Sequence, residues 1–97
     1  MVIRIPEARL HIRVTGRVQG VGFRSFVAQN AKALDLTGWV RNVGRDQVET
    51  VAEGRRENLE KFTQTVRMGP SVSDVREMDK EWEEPLGEFE IFKVRWI

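Results

Sequence analysis

A glycine-rich segment near the N-terminus decides how the chain folds, and it reads Gly16-Arg17-Val18-Gln19-Gly20-Val21-Gly22-Phe23-Arg24. The residues before it, 9–15, alternate polar and apolar side chains, which predicts a half-buried β-strand. The residues after it carry apolar side chains at helical spacing, namely Phe23, Phe26, Val27, Ala31 and Leu34. The segment is therefore predicted to turn the chain from the end of a strand into the first turn of a helix.

Such a turn is suited to binding an anion. Gly16, Gly20 and Gly22 lack a Cβ, so the backbone can adopt positive φ angles and direct its N–H groups toward one point. The start of a helix adds unpaired N–H groups and the positive end of the helix dipole. Arg24 opposes that dipole unless an anion is bound nearby. The segment therefore predicts a phosphate site, with a purely structural turn as the alternative.

The glycine spacing does not match the two common nucleotide-binding loops. A nucleotide P-loop has four residues between its glycines and then Lys-Ser/Thr, and no lysine follows here. A dinucleotide-binding fingerprint that starts at Gly20 needs a third small residue at the position of Ser25. The chain also lacks the long parallel βαβ pattern of such folds. Both nucleotide interpretations are therefore poor.

The composition indicates one small domain. The 97 residues suffice for a single core and include no cysteine, which excludes a disulfide framework and a thiol nucleophile. The formal net charge of +1, from interspersed acids and bases, argues against binding nucleic acid or membranes through bulk charge. No apolar run reaches membrane-spanning length, and residues 1–7 lack the apolar core of a signal peptide. We expect a cytoplasmic protein with residues 1–7 as a tail and 8–97 as a single domain.

The first half of the chain predicts a strand, a helix and a hairpin. The helix covers about 23–34, and a second strand covers 37–42. After a turn at 43–46, a third strand covers 47–53. Because this connection is short, the second and third strands are expected to pair antiparallel.

The second half adds a helix and two strands. The helix ends at Gly69-Pro70, and a strand over 72–82 follows, with a bulge between Val75 and Met78. A last strand is predicted over 89–96. Two helices cover only one face of an antiparallel sheet. The predicted fold class is therefore α+β, a two-layer ferredoxin-like sandwich of order βαββαβ plus a short terminal strand.

Several polar residues outside the loop have structural explanations. His11, the single histidine, lies on the polar face of the first strand, where we expect it to be solvated. Glu49 and Glu53 share the outer face of the third strand; a paired acid and base is one interpretation, and a solvated face is favoured. Ser25 lies beside the loop without a base in the sequence to activate it. No His or carboxylate cluster has the spacing of metal ligands, so no metal site is predicted.

The C-terminal run interleaves basic and aromatic side chains, Phe92-Lys93-Val94-Arg95-Trp96. This pattern is found in stacking strips for single-stranded nucleic acid, but strand alternation and edge packing explain it as well. The loop, Arg24 and Asn42 remain as candidates for chemistry. Asn42 is predicted at a strand end beside the loop, where its amide could hold a water.

The glycine-rich segment and a second stretch, Gly38-Trp39-Val40-Arg41-Asn42, resemble the two signature motifs of the acylphosphatases. The resemblance covers nearly the whole chain, because three further groups also fall where that family places such residues: Val48-Glu49, Ala52-Glu53-Gly54 and Gly69-Pro70. It implies a monomeric enzyme that hydrolyses the carboxyl–phosphate bond of small-molecule acyl phosphates without metal or cofactor. Inorganic phosphate is then the second product.

The resemblance also implies a role for each site residue. The amides of the 16–22 loop hold the phosphoryl oxygens, and the substrate-binding residues are Gln19, Gly20, Val21, Gly22 and Phe23. Arg24 binds and polarises the phosphate, and Asn42 orients the attacking water. The sequence departs from the pattern of that family at two positions, both in turns. Arg45-Asp46 replaces the usual Asp-Gly, and Asp35 replaces a common glycine at the end of the first helix.

The chemistry agrees with these residues. The leaving carboxylate has a conjugate acid with a pKa of about 4, so no general acid is required. Positioning and charge neutralisation are the main needs of phosphoryl transfer. Three alternatives stay open: a phosphate- or acidic-metabolite-binding module without turnover, a nucleic-acid module on the same fold, and a segment of a larger carbamoyl-phosphate-handling enzyme. The length of 97 residues favours the free enzyme.

Overall fold

The structure, a computed structural model, describes residues 5–96. Its elements follow the predicted order βαββαβ plus a terminal strand, and they are β1 (Ala8–Arg17), α1 (Phe23–Ala33), β2 (Thr37–Val43), β3 (Gln47–Gly54), α2 (Arg56–Met68), β4 (Asp74–Glu83) and β5 (Phe92–Val94). No helix within 5–96 is long and apolar enough to cross a membrane. Residues 1–4 of the predicted tail and Ile97 lie outside the described residues.

The strands form one sheet of order β4-β1-β3-β2-β5. The four long strands pair antiparallel, as predicted. The short β5 pairs parallel with β2, so the sheet is mixed. The reason is topological: β4 ends beside the start of β1, and the chain must then cross that end of the sheet to reach the far edge. It therefore enters β5 at the end where β2 also begins, and both strands run the same way.

This crossing also explains why the last strand is shorter than predicted. The alternation over 89–96 predicts one continuous strand, but only Phe92–Val94 pairs with β2. Residues 84–91 have no regular structure and form the crossing segment. Phe92 itself is buried and its ring makes an edge contact with Phe62 of α2. Edge packing is therefore confirmed for this residue.

Both helices cover the same face of the sheet. Leu10, Ile12 and Val14 of β1 point to that face and are fully buried. The helices meet them with apolar side chains at helical spacing: Phe23, Val27 and Ala31 from α1, and Leu59, Phe62 and Val66 from α2. Burying one such large side chain contributes about 1.5–3 kcal/mol. The two-layer sandwich is thus held by a single core.

The predicted bulge is present where β4 pairs with β1. Thr15 pairs with Glu77 and Gly16 with Val75, which leaves Arg76 as the extra residue. Gly16 has a φ of 144°, and a Cβ at this position would overlap the carbonyl oxygen of Asp74. Only glycine therefore allows β1 to pass β4 at this point and lead into the glycine-rich loop.

The two departures from the family pattern do not prevent the turns. Asp35 adopts a left-handed backbone with a φ of 56°, at a cost of about 1 kcal/mol for a residue with a Cβ. In the turn between β2 and β3, Gly44 supplies the positive φ, 59°, ahead of Arg45-Asp46. The strand pairing beyond this turn is regular, with Val43 opposite Gln47.

The prediction of a solvated outer face is wrong for Glu49 and Glu53, which are only 4% and 1% exposed. β3 is the central strand, so its outward side chains are covered by long side chains of the strands on either side. Glu53 accepts hydrogen bonds from Arg9 and from the backbone N–H groups of Leu86 and Gly87, which belong to the crossing segment. The sequence alternation reports which face a residue points to, and not what covers that face.

Glu49 is the centre of a second ionic cluster, and His11 belongs to it. Its carboxylate accepts hydrogen bonds from Arg13 (3.0 Å) and Arg41 (2.8 Å) and lies 2.6 Å from Nε2 of His11. His11 is therefore half-buried against a carboxylate, and the prediction that it is simply solvated is wrong. Burial alone raises the pKa of Glu49, but hydrogen bonds from Arg41, His11 and Arg13 outweigh it and lower the pKa below its ordinary value.

Candidate active site

The glycine-rich loop joins the end of β1 to the start of α1. Gly20 and Gly22 have φ angles of 73° and 75°, in the left-handed region that favours glycine. Gly22 is the N-cap residue of α1, and no side chain within 5–96 caps the helix there. The first turn of α1 also contains no acidic residue. The positive end of this helix is therefore available to an anion from outside the chain.

The loop, Arg24 and Asn42 line one cleft of about 160 Å³. The predicted site residues that border it are Gly20, Gly22, Phe23, Arg24 and Asn42. The remaining lining comes from Val18, Ser25, Val94 and Trp96. Asn42 reaches the cleft because β2 runs toward the same end of the sheet as β1. The structure thus brings together Arg24 and Asn42, which are 18 positions apart in the sequence.

Gln19 and Val21 are placed differently from the other predicted residues. The side-chain amide of Gln19 donates to the carbonyl oxygens of Gly44 (3.1 Å) and Gln47 (3.0 Å), in and beside the β2–β3 turn. The side chain of Val21 packs against the core. Neither side chain is among those that border the cleft. Their predicted contribution to substrate binding stays a prediction and rests on backbone N–H groups.

Asn42 carries an unpaired acceptor. Its Oδ1 atom is buried and has no hydrogen-bond partner among residues 5–96. Leaving such a group unpaired costs about 1–3 kcal/mol. Asn42 also borders the cleft, so its side-chain amide lies beside the space in which a molecule can bind.

Arg24 is held by an aromatic ring. Its Cζ atom lies 4.1 Å from the centroid of the Trp96 ring. Within 5–96 it forms no salt bridge with a side-chain carboxylate. The ring orients the guanidinium plane without neutralising its charge. This leaves the charge of Arg24 available to a bound anion.

Trp96 and Val94 are cleft residues that the sequence interpretation missed. The signal was the basic and aromatic run at 92–96, which was assigned to edge packing or to nucleic-acid stacking. A continuous stacking strip is not formed, because Phe92 is 2% exposed and lies in the core. Only the tertiary structure shows that the end of this run reaches the glycine-rich loop.

A larger cavity of about 730 Å³ lies at the opposite end of the sheet, beside Glu7, Glu53 and Asn58. Several of its polar side chains already have partners: Glu7 accepts from the Arg56 N–H, and Asn58 donates to the Leu34 carbonyl. Glu53 is paired as described above. We therefore locate the candidate site at the smaller cleft, which is bordered by Asn42 with its unpaired acceptor and by Arg24 with its charge not neutralised. No group of three or more metal-ligating side chains occurs within 5–96.

Comparison with known proteins identifies the family. A family model described as acylphosphatase matches residues 10–94. The acylphosphatase of Salinibacter ruber is 45% identical over 89 residues, which are 92% of this chain and 94% of the relative. The crystal structure of acylphosphatase from Bacillus subtilis superposes with a TM-score of 0.87 at 36% identity, over 91% of this chain and 98% of that one.

The same fold also occurs within a longer protein. The T. kodakarensis HypF structure matches 91% of this chain with a TM-score of 0.79 and 35% identity, but the match covers only 12% of that protein. The family model covers most of the present chain, and the relatives match it over nearly their full length. The chain therefore belongs to the acylphosphatase family, hydrolases that act on acyl phosphates.

Proposed function

We propose that the cleft hydrolyses the carboxyl–phosphate bond of acyl phosphates to a carboxylate and inorganic phosphate, without a metal ion or cofactor. In this proposal the loop amides and Arg24 hold the phosphoryl group, and Asn42 orients the attacking water. The observation that carries it is that Asn42, whose Oδ1 has no partner within 5–96, borders the same cleft as Arg24 and the loop glycines.

The phosphoryl group has three equatorial oxygens whose charge must be neutralised during transfer. The loop supplies N–H groups at the positive end of α1, and the planar guanidinium of Arg24 matches two oxygens at once. These donors are in place before the substrate binds. Preorganised donors of this kind are an effective source of transition-state stabilisation.

The water is the partner that Asn42 lacks. When Oδ1 accepts one hydrogen from the water, the oxygen lone pair is free to attack phosphorus. A bond forms from the water oxygen to phosphorus, and the bond from phosphorus to the carboxyl oxygen breaks. The water proton passes to a phosphate oxygen of the substrate, and the carboxylate leaves without protonation because its conjugate acid has a pKa of about 4.

A phosphate-binding module without turnover is the alternative. Asn42 separates the two functions, because its side-chain amide can either donate to a bound phosphate or, through the unpaired Oδ1, accept from a water. Only the second role requires turnover.

The monomeric state, the cytoplasmic location and the lack of nucleic-acid or membrane partners belong to the proposal as well. The near-neutral net charge of +1 supports the last of these. The small cleft supports a small-molecule substrate.

The test is hydrolysis of benzoyl phosphate in excess chelator, beside ethyl phosphate as a monoester control with an alkoxide leaving group. We expect turnover of the acyl phosphate to persist in chelator and the monoester to be a poor substrate, since no acidic side chain of residues 5–96 borders the cleft to protonate an alkoxide leaving group. Loss of activity on chelation, with recovery on adding one divalent metal, would contradict the metal-independent mechanism. Inorganic phosphate binding without any turnover would favour the binding module.

A further inference from the structure

We propose that the exposed indole of Trp96 is the subsite for the acyl group, and that it selects acyl phosphates with an uncharged aromatic or bulky apolar acyl group over acetyl phosphate. This inference rests on the proposed function and adds the part of the substrate that is not phosphate. It makes Trp96 a specificity-determining residue, in addition to its contact with Arg24.

The size of the cleft places the acyl group outside it. The cleft measures about 160 Å³, whereas pockets that enclose drug-sized ligands measure about 300–1,000 Å³. At its polar end, the loop N–H groups, Arg24 and Asn42 are proposed to bind a phosphoryl group and a water, which fill this space. The rest of the substrate must therefore lie at the mouth of the cleft.

Trp96 borders that mouth. It lines the cleft and is nevertheless 78% exposed, so most of the indole is available for contact. The guanidinium that contacts it is the same one that is proposed to hold the phosphate, at 4.1 Å from the ring centroid. An acyl group attached to that phosphate is thus adjacent to the ring. Covering apolar area and pairing two aromatic rings both favour binding there.

The charges around the cleft define which acyl groups fit. Among residues 5–96, Arg24 is the one charged residue that borders it, and it is committed to the phosphate. The neighbouring cation Arg95 lies over a different ring, at 4.9 Å from the centroid of Trp39. An acyl group with a second carboxylate therefore finds no further cation among the described residues that line the cleft. An uncharged aromatic acyl group does not need such a cation, and it gains contact with the indole ring of Trp96.

Binding of acylphosphonates tests the inference without turnover, because a carbon–phosphorus bond replaces the bond that is cleaved. Benzoylphosphonate, acetylphosphonate and inorganic phosphate are titrated into the wild type and into Trp96→Ala by calorimetry. The wild type should bind the benzoyl ligand about three to ten times more tightly than the acetyl ligand, the size expected for one aromatic pair. In Trp96→Ala this ratio should fall to about one, and Trp96→Phe should restore most of it.

Trp82→Ala is the matched control. Its ring also lies under a guanidinium, that of Arg56, at 4.1 Å from the centroid, but on β4 near the opposite end of the sheet. This variant should leave the ratio unchanged even where it lowers Tm. If Trp96 acted only by orienting Arg24, Trp96→Ala would weaken all three ligands equally and keep the ratio, which would overturn the inference. Equal binding of both phosphonates by the wild type would overturn it too, whereas absent hydrolysis of benzoyl phosphate bears on the proposed function alone.

Discussion

The side-chain amide of Gln19 donates a hydrogen bond to the carbonyl oxygen of Gly44 at 3.1 Å, which fastens the glycine-rich loop to the turn that follows Asn42. A second bond, from the Gly16 N–H to the Asp46 carbonyl at 2.9 Å, joins the same two segments. One segment carries the proposed phosphate donors and the other follows the residue proposed to orient water. Their spacing is therefore set by contacts between loop and turn.

Replacing Gln19 by methionine should loosen this connection. Gln19→Met keeps the side-chain volume but removes the donors to the β2–β3 turn, so the loop and Asn42 should lose their relative position. We expect kcat/KM for benzoyl phosphate to fall by about tenfold or more. Gln29→Met, on the exposed side of α1, is the control. An unchanged kcat/KM in Gln19→Met would show that the bond does not position the site.

Arg24 should not be replaceable by lysine. An ammonium is a point donor and cannot match two phosphoryl oxygens as a guanidinium does. Arg24→Lys should therefore lose inhibition by inorganic phosphate together with activity. Arg56→Lys, whose guanidinium also lies 4.1 Å from a tryptophan ring, is the control. Retention of more than about a tenth of kcat/KM, a loss below ~1.4 kcal/mol, would argue that the planar geometry is unimportant.

Asn42 should affect turnover but not phosphate binding. In Asn42→Ala we expect kcat to fall by a factor of about 10²–10³, as when one preorganised polar group is removed from an active site. Inhibition by inorganic phosphate should stay nearly unchanged. Asn42→Asp should impair both, since a carboxylate beside a bound phosphate adds like-charge repulsion.

Stability gives a second readout for Asn42. Because Oδ1 has no partner within 5–96, Asn42→Ala should leave Tm unchanged or raise it. Asn30→Ala is the control, because that side chain donates a bond of 2.8 Å to the Phe26 carbonyl, and its loss should lower Tm by a few degrees. A lower Tm with intact kcat in Asn42→Ala would assign the residue a structural role only.

Glu49 should make the fold sensitive to acid. Its pKa is lower in the folded protein than the ordinary value of 4.5, so the unfolded chain binds more protons in acid. The stabilisation is therefore complete above about pH 4.5 and is lost as the pH falls through the lowered pKa. Glu49→Gln should lower the free energy of unfolding at pH 7 by about 1–3 kcal/mol and flatten its acid dependence.

Urea denaturation between pH 7 and pH 3 measures both effects of Glu49→Gln. Glu81→Gln, on the exposed face of the edge strand β4, is the control and should change little. The account would be wrong if Glu49→Gln and the wild type lost stability in parallel over this range.

Local pattern was sufficient to predict the order of the elements and the part of the cleft formed by the loop, Arg24 and Asn42. Gly20 and Gly22 could be assigned positive φ angles, and the spacing from Phe23 to Ala31 predicted α1, because both properties depend on near neighbours in the chain. Likewise the short connection after Asn42 predicted a hairpin, which directs this residue toward the loop.

Other features depend on residues far apart in sequence, and only the tertiary structure decided them. Alternation along β3 showed that Glu49 and Glu53 point outward, but their burial comes from side chains of β1 and β2 and from the crossing segment 84–91. That crossing also makes β5 run parallel to β2 and brings Trp96 to Arg24. Sequence alone determined the glycine-rich loop proposed to bind phosphate, since backbone geometry is local. Packing across the sheet decided which side chains surround the loop, since each such contact joins distant parts of the chain.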